Sequence, residues 1–221
     1  MLSVARPPRL PRHLEPLHID ELGDGDELDE QHVTGDLTGV RAERVAITQC
    51  RLTDVRCTGA ELAGVRLRDV ALERCDLSGA VLEDARLERC TFVDCRLSGT
   101  ILATARLRNV TFSGCRMDAV SFRMASGESV RFAQCDLGGA DFTESRLPES
   151  QLLDCRLSAA DLTKATLTGS ELHGSDVAGL HGVLALRHVV VDPLQVTTLA
   201  HAVLAAHGIS VTDEATSPDG P

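Results

Sequence analysis

Eight cysteines, eight histidines and one run of carboxylates are the residues of this 221-residue chain with the right types for chemistry. The cysteines stand at 50, 57, 75, 90, 95, 115, 135 and 155, and no two make the Cys-x-x-Cys pair of a structural zinc or dithiol centre. His173 apart, the histidines keep to the flanks, where His181, His188, His201 and His207 read as surface residues rather than a ligand set. The run Asp24-Gly25-Asp26-Glu27-Leu28-Asp29-Glu30 has the oxygens calcium prefers but not the loop-closing pattern of an EF-hand. It reads as a solvated lead-in. There is no glycine-rich phosphate loop, no HExxH and no GxSxG, so the expectation is no enzyme, no cofactor and no metal.

The cysteine spacing points to what positions everything else. Seven of the eight lie at positions divisible by five. Apolar residues follow the same period: every fifth residue from Leu37 to Val177 gives 29 positions, all large and apolar except Ala42, Cys57 and Gly127. A small residue precedes most centres by two, as at Gly35, Cys50, Val55, Ala60, Cys155 and Ala160. A period of five fits neither a helix nor a long strand, so each pentad must turn a corner, with one large and one small seat facing inward. Gly, Asp and Asn cluster two residues after the centre, at Gly39, Asp54, Gly59, Asp69 and Asn109 among others, where the corner falls. With 43% apolar residues but only five Phe and no Trp or Tyr, the interior is expected to be narrow and repetitive.

Segments such as Ala140-Asp141-Phe142-Thr143-Glu144, Ala160-Asp161-Leu162-Thr163-Lys164 and Cys135-Asp136-Leu137-Gly138-Gly139 resemble the pentapeptide repeat family, whose pattern is A(D/N)Lxx. The resemblance covers about two thirds of the chain. It implies an all-β solenoid: a right-handed quadrilateral parallel β-helix of about seven 20-residue coils, roughly 35 Å long, with a C-terminal helix.

On a 20-residue coil, Phe92, Phe112 and Phe132 stack, as do Phe122 and Phe142. Phe122 and Phe132 flank Gly127 and are expected to fill the space it leaves; an outward bulge at Ser126-Gly127-Glu128 is the alternative. Cys75, Cys95, Cys115, Cys135 and Cys155 form one interior column, read as small hydrophobes rather than a metal or redox ladder. Three organisational units follow: residues 1–34, a partly disordered tail and cap; 35–179, the repeat; and 180–221. The last unit holds a strand at Leu184–Val191, a helix announced by Asp192-Pro193 and Gln195 and ended at Gly208, and a disordered tail.

The chain carries a net charge of -11, but its repeat body holds 18 basic and 21 acidic residues. Acidity is therefore concentrated at the ends, and direct nucleic-acid binding is not expected. No apolar run reaches the ~18 residues of a membrane span, and no signal peptide precedes the repeat, so the expected location is cytoplasmic. One face bears Arg66, Arg68, Arg86, Arg89, Arg106 and Arg108; another bears Glu61, Glu83, Asp84, Asp141, Glu144 and Asp161. The function expected is a non-catalytic scaffold that docks a protein partner, with the Arg face as the candidate surface. The C-terminal segment is similar to that of the mycobacterial fluoroquinolone-resistance branch. That likeness implies a homodimer through the C-terminal helix, with Leu194, Leu199, Val203 and Leu204 as candidates, and an alternative function as a DNA mimic that modulates DNA gyrase and contributes to resistance or self-protection against gyrase poisons.

Overall fold

The computed structural model describes residues 5–211. In the coil from Cys57 to Asp76, the centres Cys57, Leu62, Leu67 and Leu72 and the small seats Ala60, Val65, Val70 and Cys75 are all buried. The residue two after each centre bends the chain: Gly59, Gly64, Asp69 and Arg74 have φ of 61°, 68°, 56° and 54°. Glycine adopts this left-handed conformation freely, whereas other residues accept it at a cost of about 1 kcal/mol each. Every Gly, Asp or Asn corner expected from the sequence takes it, and so do unfavourable types such as Thr104 and Met124.

Ten strands result: β1 (Glu15–Ile19), β2 (Glu27–Asp29), β3 (Gln31–Gly35), β4 (Ala46–Thr48), β5 (Arg51–Thr53), β6 (Arg66–Glu73), β7 (Arg86–Val93), β8 (Arg106–Ser113), β9 (Ser126–Ala133) and β10 (Gln151–Leu153). All pair in parallel, and from β6 to β9 each residue lies beside the one 20 later, as Leu67 beside Leu87 and Leu87 beside Leu107. The fold is a right-handed quadrilateral β-helix of about seven turns. Two of its sides are strands. The other two are tight turns, closed by bonds such as Ala60 N to the Cys57 carbonyl at 3.0 Å and Val65 N to the Leu62 carbonyl at 3.3 Å.

The expected columns form. Phe92, Phe112 and Phe132 stack with centroids 4.7 and 5.1 Å apart, and Phe122 stacks on Phe142 at 5.2 Å. The two stacks meet edge to face, with Phe112 and Phe122 at 6.1 Å. Gly127 does not bulge: it sits in β9 opposite Leu107, and its N–H donates to the Arg146 carbonyl at 2.9 Å. Its seat is filled, but by Val130 and Leu147 rather than by the phenylalanines. A Cβ there would lie 2.6 Å from Val130 Cγ2 and 2.9 Å from Leu147 Cδ2.

All eight cysteines are buried free thiols. In the column, Cys115 Sγ donates to the carbonyls of Phe92 at 3.5 Å and Ser113 at 3.4 Å. Thr100 and Ser175 use the same seat and aim a hydroxyl at the equivalent carbonyls, Leu77 and Leu152, each at 2.8 Å. The seat thus selects a small side chain and accommodates a donor, which a thiol supplies weakly.

At the N-terminal end the winding begins before the first clear pentad, because β1 already pairs with β3. The proline- and arginine-rich lead-in, expected to be partly disordered, is placed as a strap up one corner of the rod. Arg9 N donates to Asp69 Oδ1 at 2.9 Å, Gln49 Nε2 to the Arg9 carbonyl at 3.3 Å, and Arg6 N to Asn109 Oδ1 at 3.1 Å.

At the other end Gly182 packs so closely that a Cβ would stand 2.3 Å from Thr163 N, at φ +67°. The strand expected over Leu184–Val191 does not form. A 3-10 turn at Val183–Ala185 replaces its start, and only Val190 bridges to Glu171, because the chain must still turn corners over the last coil. The expected helix is present: Asp192 caps a turn at Pro193–Gln195 with a full capping box, followed by α1 (Val196–Ala206). The tail expected beyond it, from 212 onward, lies outside the described residues.

Candidate docking surface

The rod follows a simple charge rule. Seven ion pairs join residues 20 apart in sequence: Arg41–Glu61, Asp36–Arg56, Asp54–Arg74, Asp69–Arg89, Asp76–Arg96, Asp136–Arg156 and Glu144–Lys164. Parallel strands place these side chains directly above one another, and opposite charge in that position is favourable. Asp36 shows the effect on titration: hydrogen bonds from Thr38 and Arg56 hold its carboxyl down at about 2.

Arg96 beside Arg116 and Asp141 beside Asp161 depart from the rule at single steps, and one column departs from it repeatedly. Arg66 pairs in register with Arg86, and Arg86 with Arg106; the next rung is Ser126, followed by Arg146. Like charges on adjacent rungs repel. Among the described residues Arg66, Arg86, Arg106 and Arg146 have no ion-pair partner, and neither has Arg108 in the neighbouring column. That neighbouring column alternates, running Arg68, Glu88, Arg108, Glu128.

The candidate basic residues therefore divide. Arg66, Arg86, Arg106 and Arg108 are exposed on one sheet face. Arg89 stands at the corner, only 13% exposed, in a fork with Asp69 at 2.6 and 2.7 Å, and bonded to Glu88 Oε1 at 2.5 Å. It is a structural pair, and its bonds raise the Arg89 pKa as they lower that of Asp69. Arg68 makes a loose contact with Asp69 at 3.8 Å. Arg146 lies 40 residues beyond Arg106 on the same column, with Ser126 on the rung between them.

A groove of about 690 Å3 opens on this face, with Leu87, Leu107, Ser126 and Gly127 in its floor and Arg86, Arg106, Arg108, Arg146, Glu88, Glu128 and Pro148 around it. The N-terminal strap runs along the adjoining corner, where Arg9, Arg68, Asp69 and Arg89 share a cavity of about 330 Å3.

The candidate acidic face is less uniform. Glu61, Asp141 and Glu144 are paired with Arg41, Arg123 and Lys164, at 3.0, 3.6 and 3.1 Å. Asp161 is held low by Thr163, and Asp84 accepts from Thr104 Oγ1 at 2.8 Å. Glu83 is exposed.

The helix candidates also divide. Leu199 packs inward with Ala202, and Leu204 is half-buried. Leu194 is 92% exposed, and Val196, Val203 and Ile209 of the same end segment are exposed too.

Burial pushes the thiols of Cys57 and Cys90 up to about 12. Among the described residues no group of three or more His, Cys, Asp or Glu is placed to hold a metal, and no helix is long and apolar enough to cross a membrane.

The sequence matches a model described as "Pentapeptide repeat region" over residues 65–142 and one described as "Pentapeptide repeats (8 copies)" over 128–163. No curated protein sequence matches. Thirty chains of solved structure do. A trypsin-treated form of QnrB1, a plasmid-mediated fluoroquinolone resistance protein, is 19% identical with a TM-score of 0.45, over 86% of this chain and 99% of that one. HetL, a pentapeptide repeat protein involved in heterocyst differentiation regulation in the cyanobacterium Nostoc, is 20% identical with a TM-score of 0.36, over 80% and 87%. A pentapeptide repeat protein of the Arabidopsis thaliana thylakoid lumen is 22% identical with a TM-score of 0.31, over 57% and 72%.

Proposed function

Because this chain belongs to the pentapeptide repeat family, we propose that it works without catalysis, as a rigid rod whose Arg-bearing face docks an acidic protein partner. The observation that carries this reading is the column Arg66, Arg86, Arg106 and Arg146, where four cations line one sheet face with no ion-pair partner among the described residues. A partner's carboxylates or other anions supply the missing charge, and the field of the row steers their approach. The exposed apolar side chains of Leu194, Val196, Val203 and Ile209 on the end segment join two rods into a homodimer.

The test compares partner capture by immobilised protein with capture by a variant carrying Arg66→Glu, Arg86→Glu and Arg106→Glu. Retention of an acidic protein by the wild type, and its loss from the charge-reversed variant, is the expected result. Equal retention by both overturns the reading. For the dimer, Leu194→Asp with Val203→Asp is expected to halve the mass seen by light scattering.

The exposed end helix also favours a second reading, in which the dimeric rod occupies the DNA site of DNA gyrase, carboxylates such as Glu83 standing where phosphates would. Salt-sensitive inhibition of gyrase supercoiling, weakened by the two helix substitutions, is the expected result; no effect at micromolar protein removes it.

A further inference from the structure

The Arg column has a defined gap. Arg106 and Arg146 are both in register with Ser126, one coil below and one coil above it. At the inter-strand spacing of about 4.8 Å, their Cα atoms are then about 10 Å apart with a short hydroxyl side chain between them. Beside Ser126 the backbone of Gly127 is partly exposed although it occupies a centre position. Long, unpaired guanidinium groups on either side of a small hydroxyl-bearing rung form a seat for an anion with several acceptor oxygens.

The charge of the groove selects among anions. Arg86, Arg106, Arg108 and Arg146 against Glu88 and Glu128 leave a net charge of +2. A single carboxylate leaves half of it uncompensated. A phosphomonoester carries about -1.5 to -2 at neutral pH and three oxygens that can each meet a guanidinium fork. A nucleic-acid backbone brings repeated charges, and in following the rod axis it would pass over Glu88 and Glu128, which alternate with Arg108 down the neighbouring column. The groove is also several times larger than a phosphate ion, and its floor includes Leu87 and Leu107, so there is room for the chain that bears the phosphate.

We propose that the groove over Ser126 and Gly127 binds a phosphorylated segment of the protein partner, its phosphate seated between Arg106 and Arg146 above the Ser126 hydroxyl. This deepens the docking reading of the Arg face and rests on it.

The test uses the full chain and four probes at physiological salt: a glycine-flanked phosphoserine peptide, its unphosphorylated twin, inorganic phosphate, and a short DNA duplex, each titrated calorimetrically. The phosphoserine peptide is expected to bind at least tenfold more tightly than its twin, the phosphate ion and the duplex. That preference is expected to vanish in Arg106→Gln with Arg146→Gln, and to persist in Arg131→Gln on the next face. Ser126→Glu, which places a carboxylate in the seat, is expected to abolish peptide binding while keeping or raising the melting temperature, so loss of binding there is not loss of fold. Equal binding of peptide and twin, of free phosphate and peptide, or of duplex and peptide overturns the proposal. A second comparison separates it from the docking reading: if the partner captured through the Arg face stays bound after phosphatase treatment, the phosphate site is wrong and the docking surface stands.

Discussion

Gln195 donates from Nε2 to the carbonyl oxygen of Leu172 at 2.5 Å, closing the last coil from above. The same nitrogen reaches the Ser175 carbonyl at 2.7 Å, and Oε1 accepts from Asp192 N at 3.0 Å. One buried amide thus ends the ladder of the rod and starts the helix that covers it. Gln195→Ala leaves two buried carbonyls without that donor, for an expected loss of about 2–3 kcal/mol. Urea unfolding followed by circular dichroism measures it, since the chain has no Trp or Tyr to report by fluorescence.

The burial of the thiols predicts chemical silence. All eight cysteines are free and buried, and desolvation holds Cys57 and Cys90 protonated far above neutral pH. A thiol reagent at neutral pH is expected to label none of them in the folded protein and all eight once urea unfolds it. Cys115→Ser is expected to cost no more than about 1 kcal/mol, since a hydroxyl in that seat can donate as Ser175 does.

Two serines on the inner wall should respond oppositely to the same change. Ser150 Oγ is buried with no hydrogen-bond partner among the described residues, whereas Ser175 Oγ donates to the Leu152 carbonyl and accepts from Cys155 N. Ser150→Ala is expected to stabilise by about 1 kcal/mol, and Ser175→Ala to destabilise by about as much. Thermal unfolding of the two single variants side by side decides the sign.

Asp69 ties the N-terminal strap to the acid limb of stability. Hydrogen bonds from Arg89 first, and also from Arg9 N, hold its carboxyl below the ordinary 3.8. A depressed folded value stabilises the fold above the unfolded value, and that contribution disappears as pH falls through the folded one. Protection of the strap from hydrogen exchange is therefore expected to be flat from neutral pH down to the carboxylate range and to fall below 3.8. Asp69→Asn keeps an acceptor for Arg9 N and leaves Arg89 its bond to Glu88, so it is expected to remove this pH dependence and, through the lost charge-assisted fork to Arg89, to cost about 2 kcal/mol.

The pentad rhythm was enough to read the columns, corners and capped helix from sequence, because each depends on a residue's phase within five and on little else. Leu67, Cys75 and Asp69 lie where that phase puts them. What it missed depends on partners far along the chain or on local crowding. The strap has no periodicity, and Arg6 finds Asn109 across 103 positions. Arg89 looks like Arg86 in a list of basic residues, yet it lies 20 after Asp69 at a corner, a separation that marks a stacked pair. Val189, Val190 and Val191 have strand character, but the last coil needs a turn there and uses only Val190. Gly127 was rightly read as filled, but the filling side chains come from its own strand and the coil above.

Because residue i lies beside i+20, length and surface pattern are independent variables in this rod. Duplicating a whole coil lengthens it by about 4.8 Å and leaves every surface row aligned. Inserting a single pentad adds a quarter turn instead, so everything downstream is rotated by a right angle: Asp136 would no longer lie beneath its arginine, and the Arg row would break between one face and the next. A natural or engineered lengthening that preserves binding must therefore come in multiples of 20 residues, and a five-residue slip separates a surface from its partner while leaving the apolar interior in phase.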